Sequence, residues 1–120
     1  MTSTEKMTQI ARQLDAKKGK DLTVLRVSGL TLLADYFVIC SATSTTHAKA
    51  LADHLEDQMD ALGIELFKKE GRQGFEWTLM DYSDVIVHIF TGQTREFYSL
   101  EKLWADAEEV SLNEILEEEQ

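Results

Sequence analysis

Residues 35–40 read Asp-Tyr-Phe-Val-Ile-Cys, an apolar run without alternation. A strand of this kind leaves neither face for water, so it belongs in the middle of a sheet with cover on both sides. The hydroxyl-rich segment Ser41-Ala42-Thr43-Ser44-Thr45-Thr46 follows at once and supplies helix N-caps. Ala48, Leu51, Ala52, Leu55, Met59 and Leu62 then recur on one helical face until Gly63 ends the helix. A covered strand leading into an amphipathic helix calls for a layered α/β domain.

The flanking segments extend this pattern. Thr2 and Glu5 have capping-box spacing, and Met7, Ile10, Ala11 and Leu14 continue as a helix over about 4–18, ended by Lys17, Lys18 and a C′ glycine at 19. Residues 22–27 are β-branched enough for a strand, and 64–68 read as a third strand after the second helix. The segment 69–74 is polar and glycine-bounded, a turn. Residues 75–81 and 84–90 read as strands joined by a tight turn through Tyr82-Ser83. A short helical piece over 94–98 precedes a last helix that Ser99 caps and that carries Leu100, Leu103, Trp104 and Ala107. The order is α-β-β-α-β-β-β-α around one mixed sheet. The domain spans 1–108, and 109–120 form an acidic, solvated tail, because 105–120 hold seven acids and no base.

A chain of 120 residues suits one domain, with no internal repeat. The formal net charge is -10, which lacks the cation surplus that a broad nucleic-acid grip requires and suits a basic protein partner, ribosomal proteins being one such class. One cysteine, Cys40, allows no internal disulfide and points to a reducing compartment. The start, MTSTEKMTQIARQLD, has no apolar core of a secretion signal, and no run reaches the ~18 residues of a membrane span. A cytoplasmic protein is expected.

The stretch EWTLMDYSDVIVHIF, residues 76–90, carries the most chemistry. With Asp81 set opposite Asp84, Trp77 faces His88. One strand face then carries Trp77, Leu79, Asp81, Asp84, Ile86, His88 and Phe90, and the other Glu76, Thr78, Met80, Val85, Val87 and Ile89. Two carboxylates and a histidine on one face admit an acid–base or metal reading. Against it, turns favour Asp, and His88 lies about 13 Å along the strand from the acids. His47 and His54 are two helical turns apart, too far for a zinc pair on one helix. Cys40 has no base beside it in sequence and reads as a buried, inert thiol. The hydroxyls of 41–44 lack the GxxxxGK[ST] and GxGxxG patterns, and capping accounts for them. Two features remain. Both hairpin faces are apolar, so one must lie under the helices and the other is open to a partner. The loop 29–34, with Leu30, Leu32 and Leu33, is more apolar than a free loop needs to be.

Four blocks, DYFVICSATS at 35–44, HAKALADHLEDQMDALG at 47–63, EWTLMDYSDVIVHIF at 76–90 and REFYSLEKLWADA at 95–107, resemble the ribosomal silencing factor family, RsfS or Iojap. The resemblance runs from about Met7 to Ala107. Ala42 and Ser83 stand where the family commonly has glycine. The resemblance implies a small α/β fold related to nucleotidyltransferases without their catalytic site, and no cofactor or metal. It implies a translational repressor that binds the large ribosomal subunit through its ribosomal protein fourteen and sterically blocks joining of the small subunit during starvation. It further implies a link to large-subunit assembly and a possible homodimer; no direct nucleic acid is required and no membrane is expected. The alternative is a nucleotide-binding, nucleotidyltransferase-like enzyme. On the silencing reading, Trp77, Leu79, Asp81, His88 and Phe90 present the partner surface, with Met80, Tyr82, Tyr98 and Trp104 as further contacts: buried apolar contacts ringed by acids that steer toward lysines and arginines.

Overall fold

The structure, a computed structural model, describes residues 1–72 and 74–117. Helix α1 (Ser3–Ala16) starts at the expected capping box: the Glu5 N–H donates to Thr2 Oγ1 at 3.1 Å and the Thr2 N–H to Glu5 Oε1 at 2.9 Å. Its apolar stripe, Met7, Ile10, Ala11 and Leu14, is buried. Full burial of a side chain of this size is worth about 1.5–3 kcal/mol over exposure. The helix ends two residues earlier than expected, and Lys18, rather than the glycine beside it, takes the left-handed turn with φ 65. Strands β1 (Lys20–Arg26) and β2 (Tyr36–Ala42) pair antiparallel. Helix α2 (Thr45–Ala61) is capped by Ser44, whose hydroxyl accepts the His47 N–H at 3.0 Å, and Gly63 beyond it has φ 75.

Strands β3 (Lys68–Arg72), β4 (Trp77–Asp81) and β5 (Val85–Thr91) complete the main sheet, followed by helices α3 (Thr94–Tyr98) and α4 (Leu100–Leu103), strand β6 (Glu108–Glu109) and helix α5 (Leu112–Glu117). The strand order is β3-β4-β5-β2-β1-β6. β2 and β5 run parallel, from Tyr36 opposite Val85 to Ala42 opposite Thr91, while the other neighbours are antiparallel, so the sheet is mixed. β2 lies between β1 and β5 and is buried almost throughout, as its unbroken apolar run requires. One sheet face, with Val24, Val38, Met80, Val87 and Ile89, lies under α1 and α2. The opposite, outer face gathers Leu25, Phe37, Ile39 and Phe90 with Val27, Ala34 and Leu100.

Three expectations need correction. Residues 64–67 are not a strand. The strand is Lys68–Arg72, in the segment expected to be a turn. It is an edge strand, and charged residues are typical of edges because they discourage pairing with other chains. Its even positions, Lys68, Glu70 and Arg72, share the outer face with Asp81, Leu79 and Trp77 opposite them, while Lys69 on the other side reaches Asp53 and Glu56 of α2. Second, the last helix stops after one turn: α4 ends at Leu103, so Leu100 is buried and Leu103 is 73% exposed instead of in the core. Ser99 has left-handed φ 46 and makes no side-chain cap. Third, the acidic segment after 108 is not a free tail through residue 117. β6 pairs with β1, the Val110 N–H donates to Val24 O at 2.8 Å, and Ile115 of α5 is buried, with Arg12 Nε donating to its carbonyl at 3.1 Å. Its acids had hidden Val110, Leu112, Ile115 and Leu116, which all meet the inner core. Residues 118–120 of the expected tail lie outside the described residues.

Candidate functional site

The hairpin of β4 and β5 pairs two residues away from the expected register. Trp77 stands opposite Phe90, Leu79 opposite His88 and Asp81 opposite Ile86, so Trp77 does not face His88 directly, nor Asp81 Asp84. The turn is Ser83-Asp84, closed by the Tyr82 N–H donating to Val85 O at 2.9 Å, with Ser83 at φ 78. A slip of two residues leaves each side chain on its own face, since the strand period is two. The division of the hairpin into two faces therefore holds, except that Asp84 now sits in the turn.

The acids of this hairpin have structural work. Asp81 Oδ1 accepts the Ser83 N–H at 2.7 Å and braces the turn. Asp84 Oδ1 accepts from Lys6 Nζ at 2.6 Å, and the same ammonium donates to Tyr82 O at 3.1 Å, tying the turn to α1. The two helical histidines join α1 to α2. His47 accepts the Thr43 N–H at Nδ1, 3.0 Å, and meets Lys17 O with Nε2 at 3.0 Å; His54 Nε2 meets Gln13 Oε1 at 2.8 Å. Burial pushes the Cys40 thiol up to about 12, so it stays protonated at neutral pH. Among the described residues no group of three His, Cys, Asp or Glu side chains is arranged to hold a metal ion.

The outer face is different in kind. Among the described residues, the short α3 and α4, the segment after them through Ala107 and the 27–35 loop cover it, and they do so unevenly. Phe90 and Phe37 are buried, while Trp77, Leu79, Ile86, Tyr98 and Trp104 remain half-buried at its surface. The aromatic rings interlock: Trp77 stacks on Phe90 at 5.3 Å and lies 4.5 Å from Tyr98, and Trp104 meets Phe37 edge-on at 5.2 Å. Arg72 places its guanidinium 4.9 Å from the Trp77 ring centroid. Glu70 is held between Lys68, at 2.7 Å, and Arg72, at 2.6 Å, and both hydrogen bonds keep its carboxyl below the usual range, that from Lys68 first.

His88 occupies the middle of this face and is 6% exposed. The Trp77 Nε1–H donates to His88 Nδ1 at 3.1 Å, a diagonal contact in place of the expected direct pair. Burial, and then the Arg72 charge, lower the His88 pKa to about 4.

Seven of the nine residues expected to meet a partner, Trp77, Leu79, Asp81, His88, Phe90, Tyr98 and Trp104, lie on this face or in the elements over it, although Phe90 is wholly buried. Met80 and Tyr82 do not. They are buried in the core under the helices, 0% and 1% exposed, because their positions alternate to the inner face. Leu32, Leu33, Phe97 and Leu103 are exposed apolar residues beyond the expected contacts. Leu32 and Leu33 carried a signal, the excess apolar character of their loop. Leu103 was concealed by a helix expected to be longer.

A comparison with known proteins places the chain. The family described as "RsfS: Ribosomal silencing factor during starvation" matches residues 1–120. A "Ribosomal silencing factor RsfS" of Bacillus subtilis is 42% identical over 97 residues, 81% of this chain and 82% of that one. The mouse "Mitochondrial assembly of ribosomal large subunit protein 1" is 34% identical over 76% of this chain, which spans 41% of the mouse protein. A crystal structure of a protein from Chromobacterium violaceum superposes with a TM-score of 0.83 at 31% identity, covering 88% of each chain. The fold and the names of these relatives are those of a small α/β regulatory factor associated with ribosomes. The chain belongs to the ribosomal silencing factor family.

Proposed function

We propose that this chain lowers translation in the cytoplasm by docking its outer sheet face on ribosomal protein fourteen of the large subunit, where it stands in the way of the small subunit. The observation that carries this reading is the face itself: Trp77, Leu79, Ile86 and Trp104 keep apolar surface open above a rigid sheet, in a chain whose own helices cover the other side. Half-buried tryptophans on rigid elements are the residue type in which binding energy concentrates. The net charge of -10 favours approach to a basic ribosomal protein. The relatives' names support a silencing role at the ribosome and, through the mouse protein, an assembly role at the large subunit.

The test mixes the chain with purified subunits. Co-sedimentation with the large subunit and a drop in joined ribosomes are expected, and unimpeded joining at saturating chain removes the proposal. A folded Trp77→Ala chain should bind at least about ten-fold more weakly, the range of an interface hot spot. Binding equal to the parent would move the interface away from this face.

A further inference from the structure

We infer that the ring Nε2–H of His88 is a recognition donor, met by a main-chain carbonyl oxygen of the partner once the outer face is covered. The inference rests on the reading that this face docks the large subunit.

The tautomer follows from one neighbour. An indole N–H only donates, so His88 Nδ1, 3.1 Å from Trp77 Nε1, must accept. A neutral imidazole has one proton, and it therefore sits on Nε2. The ring is kept neutral by its burial and by the Arg72 cation above Trp77. Nε2 has no hydrogen-bond partner among the described residues. The described residues against the ring are apolar: Phe37 approaches edge-on at 5.3 Å, Phe90 lies parallel at 6.2 Å, and Leu79 stands on the paired strand.

In the unbound chain, solvent reaches this ring through a small opening, at 6% exposure. A partner that covers Trp77, Leu79 and Ile86 closes that opening. The donor is then satisfied by the partner or left unmet, and an unmet buried donor is strongly unfavourable. The outer face holds Lys68 and Arg72 as well as Glu70 and Asp81, so its charges balance, and a neutral carbonyl loses far less on leaving water than a carboxylate does. One donor in an apolar field also fixes register: a partner displaced by a residue loses the bond.

The test compares His88→Gln with His88→Met, side chains of similar size of which only Gln donates a hydrogen bond. Each is measured for thermal unfolding and for affinity to the large subunit. Gln is expected within about three-fold of the parent, and Met at least about ten-fold weaker, the effect of leaving the partner's carbonyl oxygen desolvated and unpaired. Equal affinities of the two variants overturn the inference. Should neither fold, a structure of the unaltered chain on the large subunit decides. An acceptor oxygen within about 3.2 Å of Nε2 upholds it, and a carbon there overturns it. Failure of the unaltered chain to bind the large subunit at all removes the docking reading and this inference with it, an outcome distinct from equal binding by the two variants.

Discussion

The Trp77 indole donates to the His88 ring across two strands on which these residues are diagonal neighbours rather than a pair. The bond fixes the orientation of both rings and satisfies the one polar atom of Trp77. The indole is thereby held in place against Phe90 and Tyr98 before any partner arrives. A preorganised aromatic loses little rotational freedom on binding, which is where affinity is otherwise lost.

His88 makes stability depend on pH. Its pKa is lowered in the fold from 6.5 to about 4, by burial first and Arg72 second. Between these values the unfolded chain binds more protons than the folded one, so stability rises with pH. The contribution is complete above about pH 6.5 and is lost as pH falls toward 4, about 3 kcal/mol in all. Urea midpoints from pH 7 to 4.5 should fall in the parent and fall much less in His88→Leu. His54 shifts in the same direction, by burial first, so His54→Gln serves as the second comparison. Glu5 and Glu70, both lowered from 4.5, act only below that window. An unchanged slope in His88→Leu would assign the titration elsewhere.

Ser83 holds φ 78 in the hairpin turn, a region that disfavours side chains bearing a Cβ. Ser83→Gly is expected to raise stability by about 0.5–1 kcal/mol, the relief of strain less the added freedom of the unfolded chain. Chemical denaturation reads this directly. A loss would mean that the Ser83 side chain has a role the backbone angle does not reveal.

At Gly71 an added Cβ would come within 2.2 Å of the Phe75 ring. Phe75 is itself held at φ 68, with Lys49 Nζ 4.7 Å from its ring centroid. Gly71→Ala should therefore cost about 1–2 kcal/mol by overpacking. In a Phe75→Ala background the same change should cost less than half as much, a coupling that a double-mutant cycle measures.

Ile115 is 4% exposed against the inner core. Ile115→Ala should destabilise the chain by about 2 kcal/mol, the low end for a buried isoleucine because the site is peripheral. A solvated tail would show no change in the melting temperature.

What the sequence made legible follows periodicity. α1, α2, β2 and the two hairpin faces were readable because their apolar residues recur at 3.6 or 2 or form an unbroken run. β3 was not, since an edge strand made of Lys68, Lys69, Glu70, Gly71 and Arg72 carries no apolar period and is recognised only by its pairing with β4. Met80 and Tyr82 were separable from Trp77 and Leu79 by alternation alone, and choosing residues by aromatic or apolar type grouped them with a face that they do not line. The Trp77–His88 bond could not be derived at all. It depends on a register set by a two-residue turn at Ser83-Asp84, one position beyond the turn the sequence suggests.

The parallel pairing of β2 with β5 has a consequence for how the chain comes together. Tyr36 must find Val85, and Ala42 must find Thr91, across an intervening helix and hairpin. About a third of the sequence, residues 43–84, has to be ordered or looped out before the central strand gains its second neighbour, and closures of this span slow folding. During synthesis, β1 and β2 can form their ladder early, but the other edge of β2 stays unsatisfied until residue 91 is available. The first half of the chain is therefore not an independent folding unit. A fragment ending before β5 would leave an apolar strand edge open to association with other chains.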